Sequence, residues 1–430
     1  MKNNRTVGLL GAVSIGIGGM VGGGIFAVLG EAVSLAHGAT WVAFLFAGIV
    51  ALLSSYSYAK LSVRYQTRGG TVSFVDEAFG ENLLSGSVNL FLWFSYLVTI
   101  SLYAVAFASY ADTFVSHPTF FTKHLFITIA IVLPTLINLI NASIVSKSET
   151  FIVIIKIVLL SVIIIFGASF VDSSRLSPKE WGEPLSIIVS GMIIFVAYEG
   201  FELIANSAEE IKTPKKNLPR AFYISVVTVI VLYLLISVIT VGSVSEEKLI
   251  NAKDYALALA AEPSLGHTGF VIVSIAALLA TFSAINATIY GNARLGFILA
   301  KEGELPSLLE KEKRDIPFFG VVIITVFSLL MANFINLSKI AIIGSAGFLL
   351  IFTIVNLSAL KLYKEIGANR WILLTSFVLS FFALVTLVYH TYEDNPDAII
   401  IFFSFIACSI LFESLYGRYI RRHFLKRDYQ

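Results

Sequence analysis

The chain is a succession of apolar segments of about 20 residues, the length of helix needed to cross a bilayer core roughly 30 Å thick. Of its 430 residues, 57% are hydrophobic and only 13% are charged. Soluble domains carry about 25% charged residues. The sequence therefore predicts an all-α polytopic membrane protein, in which each apolar segment is a transmembrane helix.

Twelve such segments can be placed along the chain, with short polar connections between them. They cover residues 7–30, 39–63, 86–114, 123–142, 149–170, 185–207, 220–243, 267–297, 316–334, 337–361, 370–392 and 397–419. The helical pattern of segment eight continues to Lys301, which predicts a helix that tilts within the bilayer or projects from it.

The basic residues indicate the orientation, because cytoplasmic loops carry an excess of Lys and Arg. With the N terminus inside, 23 of the 30 basic residues fall on the cytoplasmic side and 6 on the outer side. The remaining one, Lys156, lies in mid-segment. We therefore expect a multi-pass protein of the cell membrane with both termini in the cytoplasm.

Two segments contain a glycine-bearing interruption. The first reads Gly-Gly-Met-Val-Gly-Gly-Gly over residues 18–24, and the second reads Tyr-Glu-Gly-Phe-Glu over residues 198–202. Non-helical backbone at membrane depth is tolerated only where it is buried in protein or lines a cavity. The paired interruptions therefore indicate a substrate site in the middle of segments one and six.

The interruptions occupy equivalent places in two sets of five segments. Because five is odd, the second set enters the membrane from the opposite face, which predicts inverted repeats at approximately residues 7–170 and 185–361. Secondary transporters with this design bind substrate near the midplane, between broken helices. The additional helices at residues 370–419 would lie outside the repeats, within a single membrane domain spanning residues 1–430.

The first interruption exposes backbone N–H groups, including those of Gly22, Gly23 and Gly24, at the start of a half-helix. Such an N terminus attracts a carboxylate through its unpaired donors and its dipole. The alternative is close helix packing, since Gly18 and Gly22 fit a small-xxx-small pattern, as do Gly19 and Gly23. The matching interruption in segment six favours binding.

The second interruption begins near Ala197 and Tyr198, where carbonyl groups lose their intrahelical partners and can accept from an ammonium group. The two interruptions together predict a site for a zwitterion. Glu199 and Glu202 flank Gly200, and a carboxylate at mid-membrane costs about 2.5 to 3.5 kcal/mol on insertion scales. Two interpretations of Glu202 stay open: it handles protons, or it is a hydrogen-bonded group that holds the broken helix in shape.

Lys156 has apolar neighbours on both sides in segment five. At this depth it is too far from the interface for easy snorkelling. Because burial disfavours the charged amine, the side chain could gain and lose a proton during a transport cycle. Intramembrane ionisable groups are functional by default, and we expect Lys156 to take part in proton coupling.

Three stretches, at residues 18–26, 198–221 and 283–294, resemble the amino acid, polyamine and organocation (APC) transporter family, whose members have the LeuT-like fold. The resemblance extends over nearly the whole chain. It looks closest to proton-coupled, broad-specificity amino acid transporters of archaea and bacteria that carry a lysine in segment five, matched here by Lys156.

The family pattern implies contacts for a substrate amino acid. Its carboxylate would meet the amides of Gly23 and Gly24. Its ammonium would meet the carbonyls of Met20, Val196 and Glu199.

The pattern also implies neighbours for the lysine. In the similar transporters the lysine occupies the place of a coupling sodium ion, beside the backbone of segments one and eight. Gly18 and Ser283 would therefore lie next to Lys156. The residues predicted for proton coupling are therefore Lys156 and, in the first of its two interpretations, Glu202.

Two side-chain assignments near the second interruption stay open. Phe195 or Tyr198 would form an aromatic gate, unless each is a packing residue. Many relatives have an apolar residue in place of Glu199, so this acid would favour a cationic substrate side chain or add a second titrating group.

Other classes of function find no support in the sequence. There is no phosphate-binding G-x-x-x-x-G-K-[ST] loop and no H-E-x-x-H metal motif. The net charge of +2 gives no indication of nucleic-acid binding. No cofactor and no obligatory protein partner are expected.

The sequence thus predicts a secondary active transporter of amino acids, working by proton symport and alternating access, with amino acids, protons and the lipid bilayer as its partners. The alternatives within transporters are an amino acid exchanger and a carrier of polyamines or other organic cations. The alternative of another class is a channel-like protein.

Overall fold

The protein is almost entirely helical in a computed structural model, which describes residues 5–67, 69–140, 142–313 and 316–421. Short 3-10 turns and one two-stranded antiparallel ribbon, β1 (Glu312–Lys313) with β2 (Ile316–Pro317), connect the helices. The α-helices of the described residues are α1 (Leu9–Met20), α2 (Gly24–Ala36), α3 (Thr40–Arg64), α4 (Thr71–Phe79), α5 (Leu83–Asp112), α6 (Phe120–Ile140), α7 (Ala142–Gly167), α8 (Pro184–Ile193), α9 (Leu203–Asn206), α10 (Pro214–Ser243), α11 (Glu246–Asn251), α12 (Ala256–Lys301), α13 (Phe318–Phe334), α14 (Leu337–Lys361), α15 (Arg370–Asp394) and α16 (Pro396–Leu415).

Each of the twelve predicted segments coincides with a helix or a helix pair. Within the described ranges, ten spans are long and apolar enough to cross a membrane, and α1 with α2 forms an eleventh that is bent by 45°. The twelfth predicted segment is the shorter apolar helix α13, of 17 residues. The prediction of an all-α polytopic membrane protein is therefore confirmed.

Segment eight is longer than predicted at its start. The helix α12 runs for 46 residues, but Gly266 interrupts it with a φ of +62°, three residues after Pro263. The helix resumes directly after this kink, at His267, where the apolar pattern predicted the start of segment eight. The helix ends at Lys301, as the pattern also predicted.

The central helices are those that frame the interrupted segments. In α5 and in the broken segment six, 89% of the most apolar stretch is buried inside the protein, against 28% in α6, α15 and α16. The peripheral helices direct their apolar side chains to the outside, as a surface in contact with lipid requires. The core therefore lies where segments one and six cross α5, α10 and α14.

The two interrupted segments are also joined at the side of the protein where α1 begins. The N–H of Val7 donates to the carbonyl of Glu210 (3.0 Å), and the N–H of Lys212 donates to the carbonyl of Val7 (2.8 Å). This backbone pairing ties the chain before α1 to the chain after α9. The start of segment one and the end of segment six are thereby held together.

Candidate functional site

The two interruptions meet backbone to backbone. The first break is the turn at residues 21–23, between α1 and α2, and the second break is the turn at residues 199–202, after a 3-10 turn. A Cβ atom on Gly19 would lie 2.6 Å from the Gly200 carbonyl oxygen. A Cβ atom on Gly200, whose φ is +119°, would lie 2.3 Å from the Gly19 carbonyl carbon. Glycine is required at both positions because no side chain fits between the segments.

The first break places a short row of amides at the start of α2. The first hydrogen bond of that helix runs from the Ala27 N–H to the Gly23 carbonyl (2.9 Å), so the amides before it have no acceptor within the helix. A Cβ atom on Gly24 would lie 2.7 Å from the Cα of Ala197, and one on Gly23 would lie 2.1 Å from Cδ1 of Tyr103. Segment six and α5 therefore cover the first break in this conformation.

A tyrosine hydroxyl bridges carbonyl groups of the two broken segments. The Tyr233 hydroxyl, from α10, lies 2.7 Å from the Met20 carbonyl oxygen and 3.1 Å from that of Ala197. Sequence reasoning missed this residue, because α10 carries several other hydroxyl side chains and nothing in the pattern distinguishes Tyr233 among them. The Met20 carbonyl, predicted to receive a substrate ammonium, is satisfied here by the protein itself.

The two acids of the second break are buried and hydrogen-bonded. The Tyr103 hydroxyl donates to Oε2 of Glu199 (3.2 Å), and the Tyr96 hydroxyl donates to Oε1 of Glu202 (3.2 Å). The N–H of Gly200 donates to Oε2 of Glu202 (2.8 Å). The carboxylate of Glu202 thus satisfies an unwound amide, which is the geometry expected of a group that holds the break in shape.

The aromatic residues before the second break pack away from it. Phe195 lies against Phe352 of α14, with ring centroids 5.7 Å apart. The hydroxyl of Tyr198 donates to the Phe44 carbonyl of α3 (2.9 Å). Both side chains are fully buried. In this conformation they are packing residues, and a gating role stays a prediction.

The helix α14 supports the 3-10 turn that leads to the second break. The N–H of Val196 donates to Oγ of Ser345 (2.9 Å), and that hydroxyl in turn donates to the carbonyl of Ile193. Two backbone groups freed by the end of α8 are therefore satisfied by one side chain. Sequence reasoning did not identify Ser345.

Lys156 is buried, with 4% of its surface exposed, and lines a cavity of about 180 Å³. The cavity lies between α7 and α12, with Phe26 of α2 in its wall. Of the α12 residues that line the cavity, Leu279 and Ala280 are the nearest in sequence to the predicted neighbour Ser283. Gly18 and Ser283 are not among the lining residues, so their contact with Lys156 stays a prediction.

Segment eight approaches the first break one residue beyond Ser283. A Cβ atom on Gly22 would lie 3.1 Å from Cβ of Ala284. The described residues hold no group of three or more His, Cys, Asp and Glu side chains that could bind a metal ion. The chemical resources of this region are therefore backbone amides and carbonyls, tyrosine hydroxyls, two carboxyl groups and one lysine.

Comparison with known proteins gives the family. The model of the amino acid permease family matches residues 7–412. The inner membrane transport protein YbaT of Escherichia coli is 35% identical to this chain, over 93% of each sequence. The methylthioribose transporter of Bacillus subtilis is 28% identical over 84% of this chain and 82% of its own length. The human large neutral amino acids transporter small subunit 2 is 28% identical over 76% of this chain and 64% of its own length. The chain belongs to the amino acid permease family, within the APC transporters.

Proposed function

We propose that the protein is a secondary active transporter that moves amino acids across the cell membrane by proton symport. Substrate binds between the first and second breaks, and the site opens alternately to the two sides of the membrane. The family and a relative named for large neutral amino acids support an amino acid as substrate. The bilayer is the protein's solvent, and the proposal requires no protein partner.

The observation that carries the proposal is the direct backbone contact of the second break, at Gly200, with Gly19 in the last turn of α1, just before the first break. Two transmembrane segments lose helical hydrogen bonds at one place. Backbone N–H and C=O groups without partners are unfavourable at membrane depth, unless they line a cavity or bind a ligand. A glycine-to-glycine contact leaves the two segments free of interlocking side chains. They can therefore separate to admit a substrate and close again.

In the proposed complex, the substrate carboxylate binds the amides of residues 22–24 at the positive end of α2. Its ammonium binds the carbonyls of Met20, Val196 and Glu199. Because Tyr233 occupies the Met20 carbonyl in the conformation described, the ammonium shares or replaces that hydrogen bond. Phe195 and Tyr198 close over the substrate in this scheme.

Protons are carried by Lys156 with Glu202, beside Gly18 and Ser283. The buried position of Lys156 and the cavity next to it support this assignment, because a buried amine that must lose or regain a proton needs space to do so. Glu202 contributes through its contact with the unwound backbone at Gly200. A change in its protonation would alter the support of the second break.

The proposed cycle rests on a LeuT-like arrangement of inverted repeats, residues 7–170 and 185–361, with residues 370–419 outside them. One repeat bundle rocks against the other around the site. The excess of basic residues on one side supports a cytoplasmic location for both termini. Protease accessibility of tags at each end, in sealed inside-out and right-side-out vesicles, tests this orientation.

The transport proposal is tested with purified protein in proteoliposomes. An inward proton gradient should drive accumulation of at least one amino acid above its equilibrium level, and a protonophore should abolish this accumulation. Uptake that depends on sodium and ignores the proton gradient would refute proton symport. Flux that neither saturates nor supports counterflow would indicate a channel-like protein.

The second candidate is an exchanger, or a carrier of polyamines or other organic cations. The buried carboxyl of Glu199 at the second break favours it, since an ionised acid there would attract a cation. Competition experiments separate the two. Amines that lack a carboxylate should compete for a cation carrier and should fail to compete for the proposed amino acid site.

A further inference from the structure

One side chain, Tyr103 of α5, joins the two breaks. Its ring lies directly on Gly23, where an added Cβ atom would be 2.1 Å from Cδ1. Its hydroxyl oxygen is 3.6 Å from the position of a Cβ atom on Gly22 and 3.2 Å from Oε2 of Glu199. The hydroxyl therefore stands between the amides proposed for the substrate carboxylate and the carboxyl group of Glu199.

The direction of this hydroxyl depends on the charge of Glu199. A tyrosine hydroxyl has one hydrogen to donate and lone pairs with which to accept. While Glu199 is ionised, that hydrogen is used for the carboxylate, and the tyrosine oxygen turns a lone pair towards Gly22. When Glu199 carries a proton, it donates to the Tyr103 oxygen or to the Glu202 carboxyl and no longer attracts the hydroxyl hydrogen as a carboxylate does, so that hydrogen becomes available to an anion at Gly22.

The other titratable groups around Glu199 do not offer a compensating positive charge. Among the described residues, Tyr103 from α5 and Glu202 from the same break act on it, and the charge of Glu199 in turn acts on Tyr96 from α5 and Tyr233 from α10. Each of these groups is neutral or negative. A substrate carboxylate near an ionised Glu199 would meet both a like charge and a lone pair.

We propose that Glu199 is the acid whose protonation admits the substrate, and that Tyr103 transmits its state to the carboxylate site. The proton on Glu199 points to Tyr103, and the proton of Tyr103 points to the carboxylate of the amino acid lying on residues 22–24. Binding of the substrate and binding of the proton are then coupled through this chain of two hydrogen bonds. The inference rests on the proposed function and adds a third proton-binding residue to Lys156 and Glu202.

The size of the effect follows from the separation. The two distances from the Tyr103 hydroxyl place the Glu199 carboxyl within about 7 Å of the Cβ position of Gly22. At that separation, and at an effective dielectric constant of about 20, two unit negative charges weaken binding about 50-fold. Substrate affinity should therefore fall by tens of fold as the pH rises through the titration of Glu199.

The first measurement uses the purified full-length chain in lipid nanodiscs. All twenty common amino acids and their carboxamides are screened by thermal shift at about pH 5.5, and the Kd of the best ligand is then measured between about pH 5 and about pH 9. We expect the Kd to rise more than tenfold across this range. Calorimetry in buffers of different ionisation enthalpy should show proton uptake on binding. The carboxamides, which lack the carboxylate, should bind far more weakly than the parent amino acids at every pH in this range.

The variants assign the effect to residues. Glu199→Gln resembles the protonated acid and should bind at high pH more tightly than the unmodified chain, with less than threefold change in Kd across the range. Tyr103→Phe should weaken binding at low pH and reduce the pH dependence. Tyr110→Phe, on the same helix, is the matched control, because its hydroxyl donates to the Phe26 carbonyl instead of to an acid. It should retain the full pH dependence.

The outcomes separate this inference from the proposed function. If no amino acid shifts the melting temperature at any pH, the proposed function fails. If amino acids bind but Glu199→Gln keeps the pH dependence of the unmodified chain, only the role of Glu199 fails. Loss of binding by Glu199→Gln at every pH, with its melting temperature preserved, would instead identify an ionised Glu199 as a partner of the ammonium. If that variant does not fold, Tyr103→Phe against Tyr110→Phe decides the question.

Discussion

Replacing Gly200 by alanine tests whether the contact of the two breaks is required. The backbone φ of +119° disfavours any L side chain, and the new Cβ would lie 2.3 Å from the carbonyl carbon of Gly19 and 2.6 Å from the N of Met20. These are backbone atoms, which cannot rotate out of the way. The substitution must therefore strain the second break and also push it away from segment one.

The magnitude has two parts. A strained φ at a non-glycine residue costs about 1 to 3 kcal/mol, and overpacking costs about 1 to 3 kcal/mol. Gly266→Ala is a matched control, since Gly266 also has a positive φ, of +62°, but no atom lies within 4 Å of its Cβ position. That variant incurs the strain alone. The difference between the two variants, about 1 to 3 kcal/mol, measures the contact between the breaks.

Thermal unfolding followed by the fluorescence of the four tryptophans provides the assay. For a chain of this size a loss of 1 kcal/mol lowers the melting temperature by about 2 °C. Gly200→Ala should therefore melt about 2 to 6 °C below Gly266→Ala at a common scan rate, and should lose the stabilisation by bound amino acid that Gly266→Ala retains. Equal melting temperatures and equal ligand stabilisation in the two variants would refute the reasoning.

Three further predictions use other parts of the protein. Lys156→Ala should abolish accumulation driven by a proton gradient in proteoliposomes while counterflow exchange persists, and unchanged accumulation would reject Lys156 as a proton carrier. Tyr233→Phe removes the one hydroxyl hydrogen that the buried Met20 and Ala197 carbonyls share and should cost about 1 to 3 kcal/mol, measured as a lower melting temperature; an unchanged value would contradict the bridging role. Outside the membrane, the Arg64 guanidinium donates to Glu365 (2.9 Å) and holds the pKa of that carboxyl below its usual value. Because the folded pKa is the lower one, this contribution to stability is present above the unfolded pKa and is lost as the pH falls through the folded pKa. Glu365→Gln should slightly flatten the acid side of the stability profile, and the Arg64→Gln variant should do the same.

The number of helices and the places of the breaks could be predicted because each depends on local composition. A run of apolar residues as long as the bilayer is thick has few alternatives to a helix, and residues 18–24 contain too much glycine to remain regular. The kink at Gly266 was less accessible. Only Gly266 has a positive φ, and the helix continues on both sides of it. The sequence pattern around this residue is therefore that of a continuous helix and does not indicate a kink.

The composition of the site could be predicted only in part. The glycines and acids of the breaks were found from their unusual depth in the membrane. Tyr103 and Tyr233 were not, because a tyrosine in an apolar helix is equally typical of packing, and the rotation of α5 and α10 about their axes decides what its hydroxyl reaches. The cavity beside Lys156 likewise depends on how α7 and α12 pack, which no local pattern determines.

The hydrogen bonds of the site indicate how a transporter can be stable without its substrate. A buried carbonyl or carboxylate that loses its hydrogen-bond partner lowers the stability of the protein by about 1 to 3 kcal/mol. An empty site whose backbone groups had no partners would therefore rearrange or take up water. Here Tyr233 serves Met20 and Ala197, and Tyr103 serves Glu199. The Tyr233 hydroxyl occupies the Met20 carbonyl that the substrate ammonium needs, and the Tyr103 hydroxyl is held by the Glu199 carboxyl until the substrate carboxylate arrives. Substrate binding then exchanges one set of hydrogen bonds for another, and this exchange keeps the free-energy difference between the empty and loaded states small enough for the substrate to leave on the other side.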